Sequence, residues 1–335
     1  MYFINESNYY IMQTMTKRKI SQQQQRRIAS NRDKLPDTPE HSGLVLANYG
    51  QNVDIENLDG KVIECNKRQH LDSIVPGDWV IWQSDIDTDT GVVLSVKPRS
   101  TVLSRPDARG KLHAVAANID QMFIVIAPTP APNQTTIDRY LIAAEIQNIQ
   151  PILVLNKVDL LDEGSDHQDL LEFVKQYAQL GIVTLSLSAT KHQNLNLLHA
   201  QLRDKTSVFV GQSGVGKSSL ISALLPDVEI RTGEISNQTK LGRHTTTTAR
   251  LYHLQDRNSS IIDSPGMREF PLWALDQATL AHGFIEFRPF LHECKYRNCS
   301  HTKEPSCALL QAADTGKISQ ARLLSYQTIL TSMQG

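Results

Sequence analysis

The stretch that decides the fold reads Gly211-Gln-Ser-Gly-Val-Gly-Lys-Ser218. It follows an apolar segment, Ser207–Val210, and opens the helix-forming segment Lys217–Leu225. A glycine-rich loop between a strand and a helix is the context that a phosphate-binding P-loop requires. Its glycines let backbone N–H groups surround phosphate oxygens without interference from Cβ atoms. The sequence therefore predicts a doubly wound parallel sheet with a nucleotide at its carboxyl edge.

Two side chains of the loop are predicted to carry its chemistry. Lys217 is expected to reach the β- and γ-phosphates, and Ser218 is expected to ligate Mg²⁺. The remaining candidate nucleotide contacts in the loop are Gly211, Gln212, Ser213, Gly214, Val215, Gly216 and Ser219. The alternative is a coincidental glycine-rich turn, which the strand and helix on either side argue against.

A second motif, Asn156-Lys157-Val-Asp159, follows the apolar segment Ile152–Leu155 and is typical of guanine recognition. Asp159 can accept hydrogen bonds from guanine N1–H and the 2-amino group, whereas adenine offers neither donor there. Asn156 would support the loop and the base, and the Lys157 stem would cover a face of the ring.

The order of the two motifs is unusual. In an ordinary GTPase the P-loop precedes the guanine motif, but here Asn156 comes before Gly211. Both motifs must reach the same nucleotide, so we predict a circularly permuted GTPase. A P-loop ATPase or kinase is a rival that the guanine motif argues against. Ser188-Ala189, after a predicted strand at 182–187, fits the small loop whose backbone N–H contacts guanine O6.

Asp263-Ser-Pro-Gly266, after the apolar Ile261-Ile262, matches a GTPase switch. Asp263 would hold Mg²⁺ through water, and the Gly266 N–H would sense the γ-phosphate. The next residue is Met267, where Ras-type enzymes place a glutamine that orients the attacking water. Methionine cannot orient water, so another group must do so, or the intrinsic rate is low.

The loop Gly242-Arg-His-Thr-Thr-Thr-Thr248 lies between the P-loop and this switch. One of its threonines would close on Mg²⁺ and the γ-phosphate. We expect Thr246, although the sequence leaves the choice open among Thr245 to Thr248. His244 is the candidate for the missing water-orienting group, and the alternative is a solvent-exposed histidine without a role.

Composition indicates an ordinary globular protein of several domains. The 335 residues are 40% hydrophobic and 21% charged, with a formal net charge of −1. This balance excludes a globally basic nucleic-acid binder but leaves room for a local basic patch. No apolar run is long enough to span a bilayer. Because the segment Met1 to Met15 also lacks the apolar region of a signal peptide, we expect a cytoplasmic protein that does not bind membranes.

The chain divides into four predicted parts. Residues 1–37 form a basic tail, which reads either as a solvated end or as an RNA-binding arm. Residues 38–106 contain short strands between turns and predict an OB-fold barrel. Residues 107–275 alternate strands and helices, as expected for the permuted GTPase domain. Residues 276–335 form a helical C-terminal domain.

Three side chains of the barrel segment stand out. Trp79 and Trp82 could stack on nucleic-acid bases, but residues three apart on a strand face opposite sides, so at least one of them is expected in the core. Cys65 is expected to be a small buried apolar residue.

Three of the four cysteines cluster near the C-terminus, in the pattern Cys294-x₄-Cys299-x-His301-x₅-Cys307. Three thiolates and one imidazole complete a tetrahedral Zn²⁺ shell with no open position, which is typical of structural zinc. In a reducing compartment such clustering favours metal over disulfides. The alternative is three unrelated thiols. Neighbouring cations that would suit RNA phosphates are Lys295, Arg297 and Lys303.

Together these motifs resemble the RsgA/YjeQ family of circularly permuted GTPases, which assist maturation of the small ribosomal subunit. The likeness covers residues 16 to 333 and rests on Asn156–Asp159, Gly211–Ser218, Gly242–Thr247, Asp263–Gly266 and the cysteine cluster. The resemblance implies an OB-fold, a permuted GTPase domain and a zinc domain that dock on the small subunit and its rRNA. Its ligands would be GTP or GDP, Mg²⁺ and one structural Zn²⁺. The family pattern also assigns a catalytic role to the histidine that aligns with His244.

The expected function is hydrolysis of GTP to GDP and phosphate by a monomer. The small subunit would stimulate hydrolysis, and hydrolysis would release the protein from the subunit. The rival from another class is an RNA-binding assembly module that holds GTP only as a structural ligand. The segment Met1 to Thr14 departs from the family pattern, so the sequence leaves open whether Met1 or Met15 is the start.

Overall fold

The computed structural model describes residues 39–68, 71, 73–85, 89–107, 110–161, 165–226, 249–263 and 275–334. The chain divides into two units, Met1–Pro39 and Glu40–Gly335. Every element described below belongs to the second unit, and the predicted basic tail lies outside the described residues. Among the described helices, none is long and apolar enough to cross a membrane.

Five strands form a closed barrel. They are β1 (His41–Asn48), β2 (Asn52–Asn57), β3 (Val62–Lys67), β4 (Trp79–Ser84) and β5 (Gly91–Val96). They pair in the order β1-β2-β3-β5-β4, and β4 pairs back with β1, which closes the barrel. β3 and β5 run parallel, and the other neighbours run antiparallel. The short alternating strands therefore build the OB-like barrel that the sequence predicts.

Alternating apolar side chains fill the barrel. The interior consists of Val45, Val53, Ile55, Cys65, Ile74, Val80, Trp82 and Val93. Trp82 is 3% exposed, whereas Trp79 is 40% exposed, because positions three apart on a strand face opposite sides. The predictions of one core tryptophan and a buried Cys65 are confirmed.

A hairpin of β6 (Val102–Pro106) and β7 (Leu112–Ala117) leads from the barrel into the rest of the chain. It spans residue 106, the predicted end of the barrel domain. A Cβ on Gly77 would lie 2.1 Å from the Ala117 carbonyl oxygen, so the barrel and the hairpin approach closely there. The buried Asp78 carboxylate beside this contact accepts a hydrogen bond from Arg99 Nε at 2.7 Å.

Six described strands form the second part of the sheet. They are β8 (Gln121–Ile126), β9 (Gln150–Leu155), β10 (Val183–Ser186), β11 (Thr206–Val210), β12 (Arg250–His253) and β13 (Ser260–Asp263). They pair in the order β10-β9-β8-β11-β13-β12, and all neighbours are parallel except β12. β12 also pairs with β1 through Ala47 and Arg250, so this sheet is continuous with the barrel.

Helices cover both faces of the parallel strands. They are α1 (Gln134–Ile146), α2 (Ser165–Gln179), α3 (Leu195–Leu202) and α4 (Lys217–Leu224). α1 and α2 pack on one face, and α3 and α4 pack on the other. Every residue of β8 is buried, as expected for a strand covered on both sides. α3 carries the chain from the edge strand β10 back to β11, so β9 and β11 flank β8.

Three C-terminal helices follow, of which the first and the last pack against α1, while the middle one packs on the last helix and on a 3₁₀ segment. They are α5 (Gln277–Gly283), α6 (Ala308–Asp314) and α7 (Gln320–Gln334), with a 3₁₀ segment at Ile285–Phe290. Phe284, Phe287 and Tyr326 form their aromatic centre, with ring centroids 4.7 to 5.8 Å apart. Burial of these rings attaches the C-terminal part to the parallel sheet through α1.

Candidate nucleotide site and metal centre

The P-loop leaves β11 at Gly211 and enters α4 at Lys217. Gly211, Gly214 and Gly216 have φ values of 138°, 80° and 96°, a region that residues with a Cβ rarely adopt. A Cβ on Gly211 would also lie 2.3 Å from the Val125 carbonyl oxygen of β8. The neighbouring strand therefore determines where the loop begins, and only glycine fits there.

Lys217 lies inside the loop and is 7% exposed. Its Nζ donates to the carbonyl oxygens of Gly211 and Gln212, each at 2.6 Å. Because α4 begins at Lys217, backbone N–H groups of its first turn, including those of Ser218 and Ser219, lack carbonyl partners within the helix. An ammonium group beside a helix N-terminus is an arrangement that attracts phosphate.

Asn156 joins the guanine motif to the P-loop. It is 1% exposed, and its Nδ2 donates to the Val215 carbonyl oxygen at 2.9 Å. Its Oδ1 accepts from the Ala189 N–H at 3.1 Å. A Cβ on Gly216 would lie 2.3 Å from Asn156 Nδ2, so this approach also needs a glycine. One amide thus holds three loops that are distant in sequence.

Lys157 makes a second connection. Its backbone is left-handed, with φ of 60°. Its Nζ donates to the Gly214 carbonyl oxygen at 2.6 Å and to the Thr129 carbonyl oxygen at 2.9 Å. The two motifs that the sequence presents in reversed order are therefore in direct contact, and the loop after β8 is a third wall of the same site.

Asp159 lies in a 3₁₀ turn, Val158–Leu160, and is exposed, so its carboxylate is accessible to a ligand. Ser188 is buried, and its backbone pairs with Gln193. The Ala189 N–H donates to Asn156 Oδ1. In this arrangement Ala189 supports the guanine motif.

Asp263 ends β13, which is the parallel neighbour of β11. The carboxyl ends of parallel neighbours meet at one sheet edge, so Asp263 lies on the P-loop side of the sheet. The other switch candidates, His244, Thr246 and Gly266, lie outside the described residues, as does Met267.

The structure brings the four predicted zinc ligands together. The ligand atoms of Cys294, Cys299, His301 and Cys307 all lie within 4.8 Å of one another. His301 Nδ1 lies 3.5 Å from Cys294 Sγ and 3.4 Å from Cys307 Sγ, and these two sulfurs are 3.9 Å apart. A tetrahedron with Zn–S of about 2.3 Å and Zn–N of about 2.0 Å has edges of about 3.5–3.8 Å. The four residues therefore fit zinc.

Burial favours the neutral forms of two of these side chains. Burial raises the pKa of the Cys299 thiol to about 12 and lowers the pKa of His301. A bound metal cation would favour the thiolate, and the neutral imidazole is the form that ligates. The Ala308 N–H donates to Cys294 Sγ at 3.4 Å. Gln327 of α7 donates to the His301 carbonyl oxygen at 3.0 Å, so α7 is attached to the cluster.

Two features of the site are not evident in the sequence. Thr129 enters through its carbonyl oxygen, which any residue could supply, so only the register of β8 beside β9 could have located it. Arg322 and Asp138 form a buried ion pair, but each looks like an ordinary helix-surface charge in the sequence.

Both a family model and a curated relative match this chain, and both carry the name RsgA. Residues 96–273 match the model of the RsgA GTPase family. A small ribosomal subunit biogenesis GTPase RsgA from Hahella chejuensis is 43% identical, over 96% of this chain and 97% of that protein.

Two solved structures share the fold. YjeQ from Thermotoga maritima is 29% identical and superimposes with a TM-score of 0.73, covering 89% of this chain and 99% of that one. YloQ, described as a circularly permuted GTPase, is 26% identical with a TM-score of 0.68, covering 88% of this chain and 96% of that one. With its guanine motif preceding a P-loop that it contacts in space, the chain belongs to the RsgA GTPase family and is a circularly permuted GTP hydrolase.

Proposed function

We propose that guanine nucleotide binds where the guanine motif meets the P-loop. The observation that carries this proposal is the Asn156 amide, which bonds both Val215 of the P-loop and Ala189. Asp159 lies exposed beside it and offers the acceptor that guanine N1–H and the 2-amino group require. Lys157 covers a face of the base. A backbone N–H of the loop at Ser188 and Ala189 contacts guanine O6, and Ala189 also supports the motif through its bond to Asn156.

The phosphates occupy the P-loop in this proposal. Lys217 neutralises the β- and γ-phosphates, and the backbone N–H groups of the loop, from Gly211 to Ser219, surround their oxygens. Ser218 at the start of α4 and Asp263 at the end of β13 fit a Mg²⁺ site, with Thr246 as the third candidate. Such an ion would supply positive charge at the phosphoryl oxygens.

Hydrolysis is in-line attack of water on the γ-phosphate. Lys217 stabilises the charge that develops, and the Gly266 N–H contacts the γ-phosphate. Met267 has no group that could hold water, so we assign water orientation to His244. The products are GDP and phosphate.

The cysteine cluster holds one structural Zn²⁺. Cys294, Cys299, His301 and Cys307 supply all four ligands and leave no position open for catalysis. The metal would stabilise the C-terminal helices, because binding and folding of such small sites are coupled.

The partner is the small ribosomal subunit and its rRNA, whose late maturation the protein assists in the cytoplasm as a monomer. The curated relatives are named small ribosomal subunit biogenesis GTPases, which supports the subunit as the partner. Three segments are candidates for RNA contact: residues 1–37, whose sequence is basic and which lie outside the described residues, the barrel at 38–106 and the zinc domain at 276–335. The last two flank the GTPase domain at 107–275 along the chain. Trp79 lies exposed on the barrel with Lys97 Nζ 5.9 Å from its ring centroid, which suits base stacking. Lys295, Arg297 and Lys303 are exposed beside the zinc cluster.

A combined turnover and sedimentation experiment tests the proposal. Phosphate release under multiple turnover is measured with and without small subunits, and co-sedimentation is measured with GDP and with a non-hydrolysable GTP analogue. We expect subunits to stimulate hydrolysis, and the GTP state to bind them more tightly, as linkage requires. Equal binding in both states together with no stimulation would refute the ribosomal function.

A further inference from the structure

A buried ionic cluster joins α1 to the C-terminal helices. Arg322 of α7 donates from Nη1 to Asp138 of α1, and from Nε and Nη2 to Glu286 at 2.6 and 3.1 Å. All three side chains are buried: Arg322 is 7% exposed, Asp138 is 0% exposed and Glu286 is 10% exposed. The guanidinium also lies 4.6 Å from the Phe284 ring centroid. Buried ion pairs seldom stabilise a fold more than apolar packing does, so this one calls for a reason other than stability.

Asp138 lies close to the nucleotide site along α1. The helix begins at Gln134, so Asp138 is about one turn, roughly 6 Å, from its first residue. The helix is capped by Asn133, whose Oδ1 accepts from the Thr136 N–H at 2.9 Å. The loop that ends at this cap, residues 127–133, carries the Thr129 carbonyl oxygen that binds Lys157.

The same loop lies beside the P-loop. Pro130 Cδ lies 3.6 Å from the position that a Cβ on Gly214 would take. The Lys157 ammonium bonds both Thr129 and Gly214. A displacement of the first turn of α1 would therefore move one of the two carbonyl groups that hold Lys157.

We propose that Arg322 is a positioning residue for the nucleotide site. Acting through Asp138, it holds the first turn of α1 and loop 127–133 against Lys157 and the P-loop. The C-terminal zinc-cluster domain thus tunes guanine-nucleotide affinity in the free protein, without any ribosomal partner. This inference rests on the nucleotide site proposed above.

The chain supplies a matched control. Glu145 of α1 pairs with Arg288 of the 3₁₀ segment, so this pair joins the same two parts of the molecule. It is exposed, at 42% and 34%, and it lies at the far end of α1 from the nucleotide loop. Glu145→Gln removes an ion pair between these parts but leaves the Arg322 cluster intact.

The experiment compares full-length variants by titration with a fluorescent GDP analogue, zinc content and single-turnover hydrolysis at saturating GTP. We expect Arg322→Met to weaken GDP binding about tenfold, with zinc content and the single-turnover rate unchanged. Arg322→Lys should fall between Arg322→Met and the wild type, and Glu145→Gln should bind GDP like the wild type. Because Arg322 acts through Asp138, adding Asp138→Asn to Arg322→Met should weaken binding no further.

Several results would overturn the inference. One is wild-type GDP affinity in zinc-replete Arg322→Met. If that variant loses zinc, Arg322→Lys decides instead, because it keeps the charge but lacks the planar fork. Fully additive effects of Arg322→Met and Asp138→Asn would also contradict it. Failure of the wild-type chain to bind GDP would refute the proposed nucleotide site itself, which is a distinguishable outcome.

Discussion

Replacing Asn156 by alanine tests the reversed-order site most directly. The amide makes two buried hydrogen bonds, to the Val215 carbonyl oxygen at 2.9 Å and from the Ala189 N–H at 3.1 Å. Asn156→Ala leaves both backbone groups without this partner, at a cost of about 2–4 kcal/mol in total. Because these bonds hold together three loops of the folded chain that also form the nucleotide site, we divide the loss between unfolding free energy and nucleotide affinity. An even division predicts GDP binding weaker by roughly 5- to 30-fold.

The assay is titration with a fluorescent GDP analogue, with thermal unfolding measured in parallel. Asn52→Ala is the matched control, because the Asn52 amide bonds Glu64 on the exposed barrel surface. That variant should retain wild-type GDP affinity. If Asn156→Ala kept both its GDP affinity and its unfolding temperature, the amide would not hold the two motifs together, and the reasoning would be wrong.

Further predictions test the nucleotide site, the zinc cluster and the contact with the small subunit. Asp159→Asn should reverse the preference for guanosine over xanthosine nucleotides by about a hundredfold or more, because the xanthine 2-carbonyl needs a donor; an unchanged preference in competition binding would contradict the guanine assignment. Lys217→Ala should abolish turnover, and His244→Ala should bind GTP normally but hydrolyse it about a hundredfold more slowly in single turnover; an unchanged rate in His244→Ala would eliminate the histidine. Cys299→Ser should lose its zinc and loosen residues 276–335 to proteolysis; elemental analysis that finds no zinc in freshly purified wild type would refute the metal assignment. Stimulation of hydrolysis by small subunits should decline steeply with salt concentration, since phosphate contacts release counterions; salt-independent stimulation would argue against RNA phosphate contacts. Deletion of residues 1–34 should weaken docking on the subunit but leave basal hydrolysis intact.

Much of this architecture is predictable because its signals are local. The P-loop glycines at 211, 214 and 216 need positive φ values, and the apolar runs before and after them identify the strand and the helix. That the guanine motif must meet the P-loop follows from their shared nucleotide. The barrel follows from short alternating strands, and the i, i+3 spacing of Trp79 and Trp82 placed one of them inside.

The remaining contacts depend on conformation that the sequence does not encode locally. Which partners Asn156 takes depends on the left-handed backbone of Lys157 and on the Ala189 loop, and both are set by packing. Whether Trp79 or Trp82 is buried depends on which face of β4 points into the closed barrel. Arg322 finds Asp138 only when α7 lies against α1, a contact between residues 184 positions apart.

The central place of β11 has a consequence for synthesis of the chain. β8 is buried along its whole length, yet its inner neighbour β11 is made much later, since the register partners Gln121 and Ser207 are 86 residues apart. At translation rates of about 5–20 residues per second, the inner edge of β8 waits roughly 4–17 s for its partner. During that interval a nascent chain presents an apolar strand with an open edge, which is a surface that chaperones and other unpaired strands recognise. Permutation therefore leaves the nucleotide site its geometry but separates β8, along the chain, from the strand that completes its inner edge.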